Sequence, residues 1–192
     1  MADTSKGFHL ETERLILRDW REEDWQPFWD CTNTPEVMQW LGGVMPDDKL
    51  QWVRDRLEGY SRDHGFTFWV VERKADGGHL SGELLGFCGL KMSNQTGGPL
   101  GEHEAGWRLR EDAWGKGYAL EAAKATLAIG FQEHHAPHIL ALTVQENRPS
   151  WGLMERLGMA RREDLDFDSK EFGSESVIVY SIDRANWSSR NG

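Results

Sequence analysis

The sequence predicts one α+β domain, a mixed sheet with helices on both faces. Three observations lead there. The chain has 192 residues, a length for one domain. Its hydrophobic share is 39% and its charged share 28%, enough apolar material for a core and enough charge for solubility. Patterns of the two kinds alternate along it: strand, two helices, three strands, helix, strand, helix, two strands. One sheet covered on both faces buries such a series most simply.

Each element has its own warrant. Arg14–Arg18 is a short apolar run between charges, and reads as a strand. Asp24 can cap a helix whose Trp25, Phe28, Trp29 and Thr32 fall at helical spacing. Pro46-Asp47-Asp48 opens a second helix with Leu50, Val53, Leu57 and Tyr60 on one stripe. Phe66–Val71 is β-branched and aromatic, hence a strand. Leu84–Met92 is the next strand. Asn94–Gly101 is a glycine-rich loop, and Glu104–Leu109 is another strand. Glu121–Phe131 is a strongly apolar helix, Ile139–Val144 a strand, and Ser150–Leu157 a helix that Gly158 terminates. Met159–Phe167 and Ser176–Ile182 read as a closing hairpin. The whole chain, 1–192, forms one domain, with flexible ends expected at 1–9 and 186–192.

Bulk features exclude several classes. Lys and Arg total 22 against 32 Asp and Glu, a net charge of -10 spread along both halves, so no basic face suits nucleic acid. No apolar run reaches the roughly 20 residues of a membrane helix. The first residues lack the apolar stretch of a secretory signal. The two cysteines, Cys31 and Cys88, form no CxxC and no metal set, which fits a reducing cytoplasm.

The most informative segment is Leu109-Arg110-Glu111-Asp112-Ala113-Trp114-Gly115-Lys116-Gly117-Tyr118-Ala119. A strand ends, a turn with two glycines follows, and a helix begins. Glycines let successive N–H groups converge, and a helix start favours anions, so a pyrophosphate suits this turn. Neither the Walker ending nor GxGxxG is present.

This segment resembles the signature of the GNAT superfamily of acyl-CoA-dependent N-acetyltransferases, Gln/Arg-x-x-Gly-x-Gly/Ala. Here Trp114 takes the first slot instead of Gln or Arg, before Gly115, Lys116, Gly117, Tyr118 and Ala119. Glu104–Leu109 is similar to the family's fourth strand, Tyr118–Ala122 to its next helix start, and Asn147–Ser150 with Leu157–Met159 to its "N-x-x-S … L-G-F" element. Leu10–Arg18 resembles the opening strand of the ribosomal-protein N-terminal acetyltransferase (RimJ/RimL-like) branch.

The resemblance implies a mostly antiparallel sheet of six to seven strands, splayed between the fourth and fifth, with about four helices. It implies acetyl-CoA as cosubstrate and no metal. The pantetheine arm would lie along Trp107, Arg108 and Leu109, freed by a bulge in the fourth strand. Trp114 and Gly115–Ala119 would hold the pyrophosphate, with Asn147 and Ser150 beside the arm. It also implies a base that takes a proton from an amine, and Glu104 is the chosen residue, with Glu102, His103, Asp168 and Glu171 as alternatives. Many members protonate the leaving thiolate with a Tyr seven residues after the Asn. Here that slot is Met154, leaving Ser150 as the acid or, alternatively, as a helix-capping hydroxyl.

Ten Trp residues are an excess. Trp25, Trp29 and Trp40 fall where the family builds its acceptor side, so they and Glu104 are the expected acceptor contacts. Packing between helices is the alternative for these rings. The acceptor would be a protein N-terminus or a small amine, and the chain a cytoplasmic monomer or homodimer without nucleic-acid or membrane partners. The rival function is an acyl-CoA-binding sensor or scaffold with weak catalysis.

Overall fold

The computed structural model describes residues 7–169 and 176–191. Among them, eight strands form one sheet. They are β1 (His9–Glu11), β2 (Leu15–Arg18), β3 (Phe68–Arg73), β4 (Leu84–Met92), β5 (His103–Leu109), β6 (His138–Val144), β7 (Ala160–Arg161) and β8 (Val177–Asp183). The order across the sheet is β1-β2-β3-β4-β5-β6-β8-β7. Every pairing is antiparallel except β5 with β6.

Six α-helices accompany the sheet among the described residues: α1 (Trp25–Thr32), α2 (Pro35–Met38), α3 (Leu50–His64), α4 (Tyr118–Gln132), α5 (Arg148–Arg156) and α6 (Arg184–Asn191). The strand count exceeds six to seven because the opening run is a hairpin, with His9 paired to Arg18 and Glu11 to Ile16. The helix count exceeds four through one-turn α2 and through α6. In α6, Asp183 takes the Asn186 N–H at 2.7 Å, a helix-starting cap. The closing hairpin is shorter than its sequence pattern. After two residues of β7 the chain turns through Glu163–Leu165, and rejoins β8 only at the Phe167–Val177 bridge.

The alternation of β5 divides two cores. Ala105 and Leu109 face Ala122, Ala123 and Leu127 of α4 in the larger core. On the other face, Trp25, Phe28 and Trp29 of α1 pack with Val53 and Leu57 of α3, over Phe68 and Phe87 of the sheet. Trp25 and Trp29 are 4% and 3% exposed. Trp25 stacks on Trp20 at 4.0 Å, and Trp29 gives its indole N–H to Asp47 at 3.2 Å. These two rings are therefore core. A fully buried aromatic contributes roughly 1.5–3 kcal/mol, which the packing alternative explains without a ligand.

Asp24 does not cap α1. Its carboxylate receives both Arg18 nitrogens, at 2.7 and 2.8 Å, and the Arg21 N–H at 2.7 Å. That two-pronged pair ties α1 to β2.

On the face of α1 and α3, β4 and β5 present three rungs of paired residues. These are Phe87 with Arg108, Gly89 with Gly106, and Lys91 with Glu104. The middle rung has to be glycine. A Cβ on Gly106 would lie 2.7 Å from the Phe68 ring, and one on Gly89 2.1 Å from the Thr67 carbonyl oxygen. The Phe68 ring leans across Gly106, which lies between Glu104 and Arg108 on β5.

Candidate active site

The parallel pairing of β5 and β6 is a single rung, Glu104 with Leu140. Both strands run on for several residues beyond it without pairing to each other. The sheet thus opens between them toward their C-terminal ends. A bulge in β5 is not the cause, contrary to expectation: its register with β4 is unbroken from His103 to Leu109. The irregularity in this region lies between Val71 and Glu72 of β3. Backbone groups of β5 are freed on the β6 side because β6 diverges.

Two helices begin at this open end. The chain from β5 passes through Glu111–Ala113 and then Trp114–Gly117 into α4. Gly115 and Gly117 have φ of 69° and 81°, the left-handed region where a side chain is strained. The first bond into α4 is from the Glu121 N–H to the Gly117 carbonyl at 3.1 Å. N–H groups ahead of it have no intrahelical acceptor and face outward at the positive end of the helix. This turn fits a pyrophosphate through its backbone alone.

The side chains of the turn do other work. Trp114 is 45% exposed, and its indole N–H goes to the Leu109 carbonyl at 2.9 Å, so that carbonyl is taken. Lys116 is exposed. Tyr118 is buried, its hydroxyl held by the His79 carbonyl and the Arg73 guanidinium at 3.2 and 3.3 Å.

Arg14 braces the turn, a role no sequence pattern announced. It donates to the Lys116 carbonyl at 2.9 Å and pairs with Glu121 at 2.7 Å, and its guanidinium lies 4.7 Å from the Tyr118 ring centre. Glu121 also accepts from the Thr12 hydroxyl at 2.6 Å and from the Arg14 N–H at 2.7 Å. Burial pushes the Glu121 carboxyl up, but Thr12 and Arg14 outweigh it and hold it below the usual range.

The second helix, α5, follows β6. Asn147 is its cap, accepting the Ser150 N–H on its side-chain oxygen at 3.4 Å. The capping role therefore belongs to Asn147 and not to the Ser150 hydroxyl. Both residues are half-buried. Met154 is 1% exposed within the main core.

Glu104 occupies the one rung that joins the halves of the sheet. It is 6% exposed, with Lys91 Nζ 3.2 Å from Oε2. The ammonium is off the hydrogen-bonding direction of that oxygen, which has no hydrogen-bond donor. It donates instead to Asn94 at 2.7 Å. Burial raises the Glu104 pKa, and the opposing pull of Lys91, with Ser93 and Gln95, does not cancel it. A carboxylate raised in this way holds a proton more readily than a free one, which suits it to proton transfer.

The other candidate bases lie elsewhere. His103 is on the opposite face of β5, against Phe66, with its pKa lowered chiefly by burial. Glu102 pairs with His138 at 2.8 Å. Asp168 is exposed beside the Gly97 loop, and Glu171 lies outside the described residues. Trp40 is half-buried just past α2. The aromatic surface beside Glu104 comes instead from Phe68 and Phe87, half-buried and stacked at 4.9 Å. Period-two alternation could have found Phe87, which pairs across to Arg108.

The profile of the Acetyltransferase (GNAT) domain matches residues 14–160. The chain belongs to the GNAT family. It is 31% identical over 156 residues to the uncharacterized N-acetyltransferase YnaD of Bacillus subtilis, covering 80% of this chain and 83% of that protein. It is 27% identical over 188 residues to the FsC-acetyl coenzyme A-N(2)-transacetylase of Aspergillus fumigatus, covering 93% and 77%. An acetyltransferase structure from Agrobacterium tumefaciens shares the fold with a TM-score of 0.78 at 24% identity, covering 93% and 96%. The GNAT chain is thus an N-acetyltransferase, and its domain implies acetyl-CoA as cosubstrate.

Proposed function

We propose that this GNAT enzyme moves an acetyl group from acetyl-CoA to a primary amine by direct attack. The observation that carries this reading is Glu104, a buried carboxylate of raised pKa at the closed end of the β5–β6 opening. The open N–H groups before Glu121 favour a pyrophosphate at Gly115–Ala119, with Trp114 alongside. Backbone of Trp107 and Arg108 favours an arm laid in the opening, and Asn147 and Ser150 border it from α5. Leu109 contributes less than expected, its carbonyl being held by Trp114.

Bound acetyl-CoA supplies an activated thioester. Glu104 takes a proton from the ammonium so that the nitrogen has a lone pair. The N–C bond then forms and the C–S bond breaks; the nitrogen sheds its second proton and the thiolate gains one, with the Ser150 hydroxyl as the relay that gives a proton to sulfur and regains the one from nitrogen, while Glu104 returns its own proton to solvent. Met154 offers no proton. Positioning supplies much of the acceleration in such a complex, so the weak acid is tolerated. The opening strand's likeness to the ribosomal-protein branch makes a protein N-terminus one acceptor class, and a small amine is the other.

Release of free thiol from acetyl-CoA over a panel of amines and peptides tests this. Amine-dependent release is expected, and Glu104→Gln should lose more activity at low pH than at high pH, where amines deprotonate unaided. Equal loss at every pH removes Glu104 as the base. Tight acetyl-CoA binding without release across the panel identifies a sensor instead.

A further inference from the structure

Arg108 is an anomaly. The residue is 7% exposed, yet among the described residues no carboxylate pairs with its guanidinium. The Phe28 and Phe87 ring centres lie 4.6 and 5.1 Å from it and cover its flat faces. Nη1 meets only the thioether of Met38, at 3.3 Å, a weak acceptor. Among the described residues, Nε and Nη2 have no hydrogen-bond partner. These two atoms form one edge of the guanidinium, the fork that matches a carboxylate with two parallel hydrogen bonds. Burial lowers the pKa to about 10, so the group is still charged at neutral pH. The nearby Cys31 gives no counter-charge, because burial raises its thiol pKa too.

Unmet buried donors are rare and costly, so the question is what meets them. The position of Arg108 answers. It shares a face with Glu104, four residues away on β5, which places the two Cα atoms about 13 Å apart. Between them lie Gly106 and the Phe68 ring that leans over it. The surface runs from a carboxylate, across aromatic carbon, to a forked cation.

We propose that Arg108 binds a carboxylate of the acceptor, and that the acceptor is a small molecule carrying an amine at one end and a carboxylate at the other, several methylenes apart. This rests on the transferase reading and names its substrate class. The amine sits at Glu104, the methylenes lie on Phe68 and Phe87, and the carboxylate takes the Arg108 fork. Met38, flexible and uncharged, yields as the ligand enters. An α-amino acid holds its two charged groups too close to span this distance with its α-amine.

The test is a series of ω-amino acids from 3-aminopropanoate to 7-aminoheptanoate, each beside its own amide, read by thiol release. Acids are expected to exceed their amides in kcat/KM by about 10- to 100-fold, the worth of a charge-assisted fork. The excess should grow with chain length and appear mainly in KM. In Arg108→Met the acid-to-amide ratio should fall to within about twofold, and Arg108→Lys should fall between. Arg108→Met should also melt no lower than the parent, because an uncompensated buried charge has been removed. A purely structural arginine predicts the opposite melt.

Equal rates for acids and amides in the parent protein overturn the proposal while leaving the transferase standing, as does a peptide N-terminus that outpaces every acid. If no amine releases thiol, the transferase reading fails by itself. Calorimetry of 6-aminohexanoate against its amide then decides Arg108 alone: binding of the acid lost in Arg108→Met supports it, and equal or absent binding overturns it.

Discussion

Replacing Lys91 by Met strands a charge. Lys91 is 3% exposed, and its ammonium has Glu104 at 3.2 Å and Asn94 at 2.7 Å. Removing one partner of a buried ion pair costs about 3–5 kcal/mol. The Glu104 carboxylate can escape by taking a proton, so the low end, about 3 kcal/mol, is the expected loss. For a domain of this size each kcal/mol lowers Tm by about 2–4 °C, giving a fall of about 6–12 °C. Loss of the cation raises the Glu104 pKa further. Glu104→Gln alone should cost little, because burial favours the neutral group and Lys91 keeps its Asn94 bond. Glu104→Gln with Lys91→Met removes both charges and should recover most of the loss. Urea melts of the four proteins close the cycle, with a coupling of about 2–3 kcal/mol expected. Additivity within about 0.5 kcal/mol would show that the two charges do not support each other, and would refute this reasoning.

The pH dependence has a defined sign. The folded pKa of Glu104 is raised above its ordinary 4.5, so its charged form weakens the fold. That cost is complete above the folded pKa. It is relieved as pH falls through the folded pKa toward 4.5. The window should widen upward in Lys91→Met and vanish when Gln replaces Glu104.

Two further outcomes follow from the phosphate turn. Gly117→Ala puts a side chain at φ 81° with its Cβ 3.3 Å from an Arg14 nitrogen. It should cost about 1–2 kcal/mol and weaken acetyl-CoA binding by calorimetry, whereas Gly65→Ala, at φ 76° in open space, should show the strain cost alone. Glu121→Ala should destabilise by about 1–3 kcal/mol at neutral pH. Its folded pKa is depressed, so the difference from the parent should shrink as pH falls through that pKa, which paired urea melts at pH 7 and pH 3 will measure.

What could be read from the chain was local. The glycine turn, the helix after it and the strand carrying Glu104 are each short runs whose residue types dictate their backbone. Alternation along β5 puts Glu104 and Arg108 on one face. Contacts between distant segments were not legible. Arg14 and Glu121 are 107 residues apart, and nothing in either neighbourhood announces the clamp. Nor did spacing tell that β6 would meet β5 at one rung. The tryptophans show the same limit, since helical spacing makes Trp25 and Trp29 neighbours but does not say whether protein or ligand covers them. The Asp183 cap of α6, by contrast, was there to be read, three residues before Asn186.

The single rung of Glu104 and Leu140 also has a mechanical meaning. The sheet behaves as two plates riveted at one point, β1 through β5 on one side and β6, β8 and β7 on the other. A guest laid in the seam acts as a temporary strand and fastens the plates along their length. Under the proposed function the rivet is also the residue that takes the proton, so a donor laid in the seam and the base share one point of the sheet.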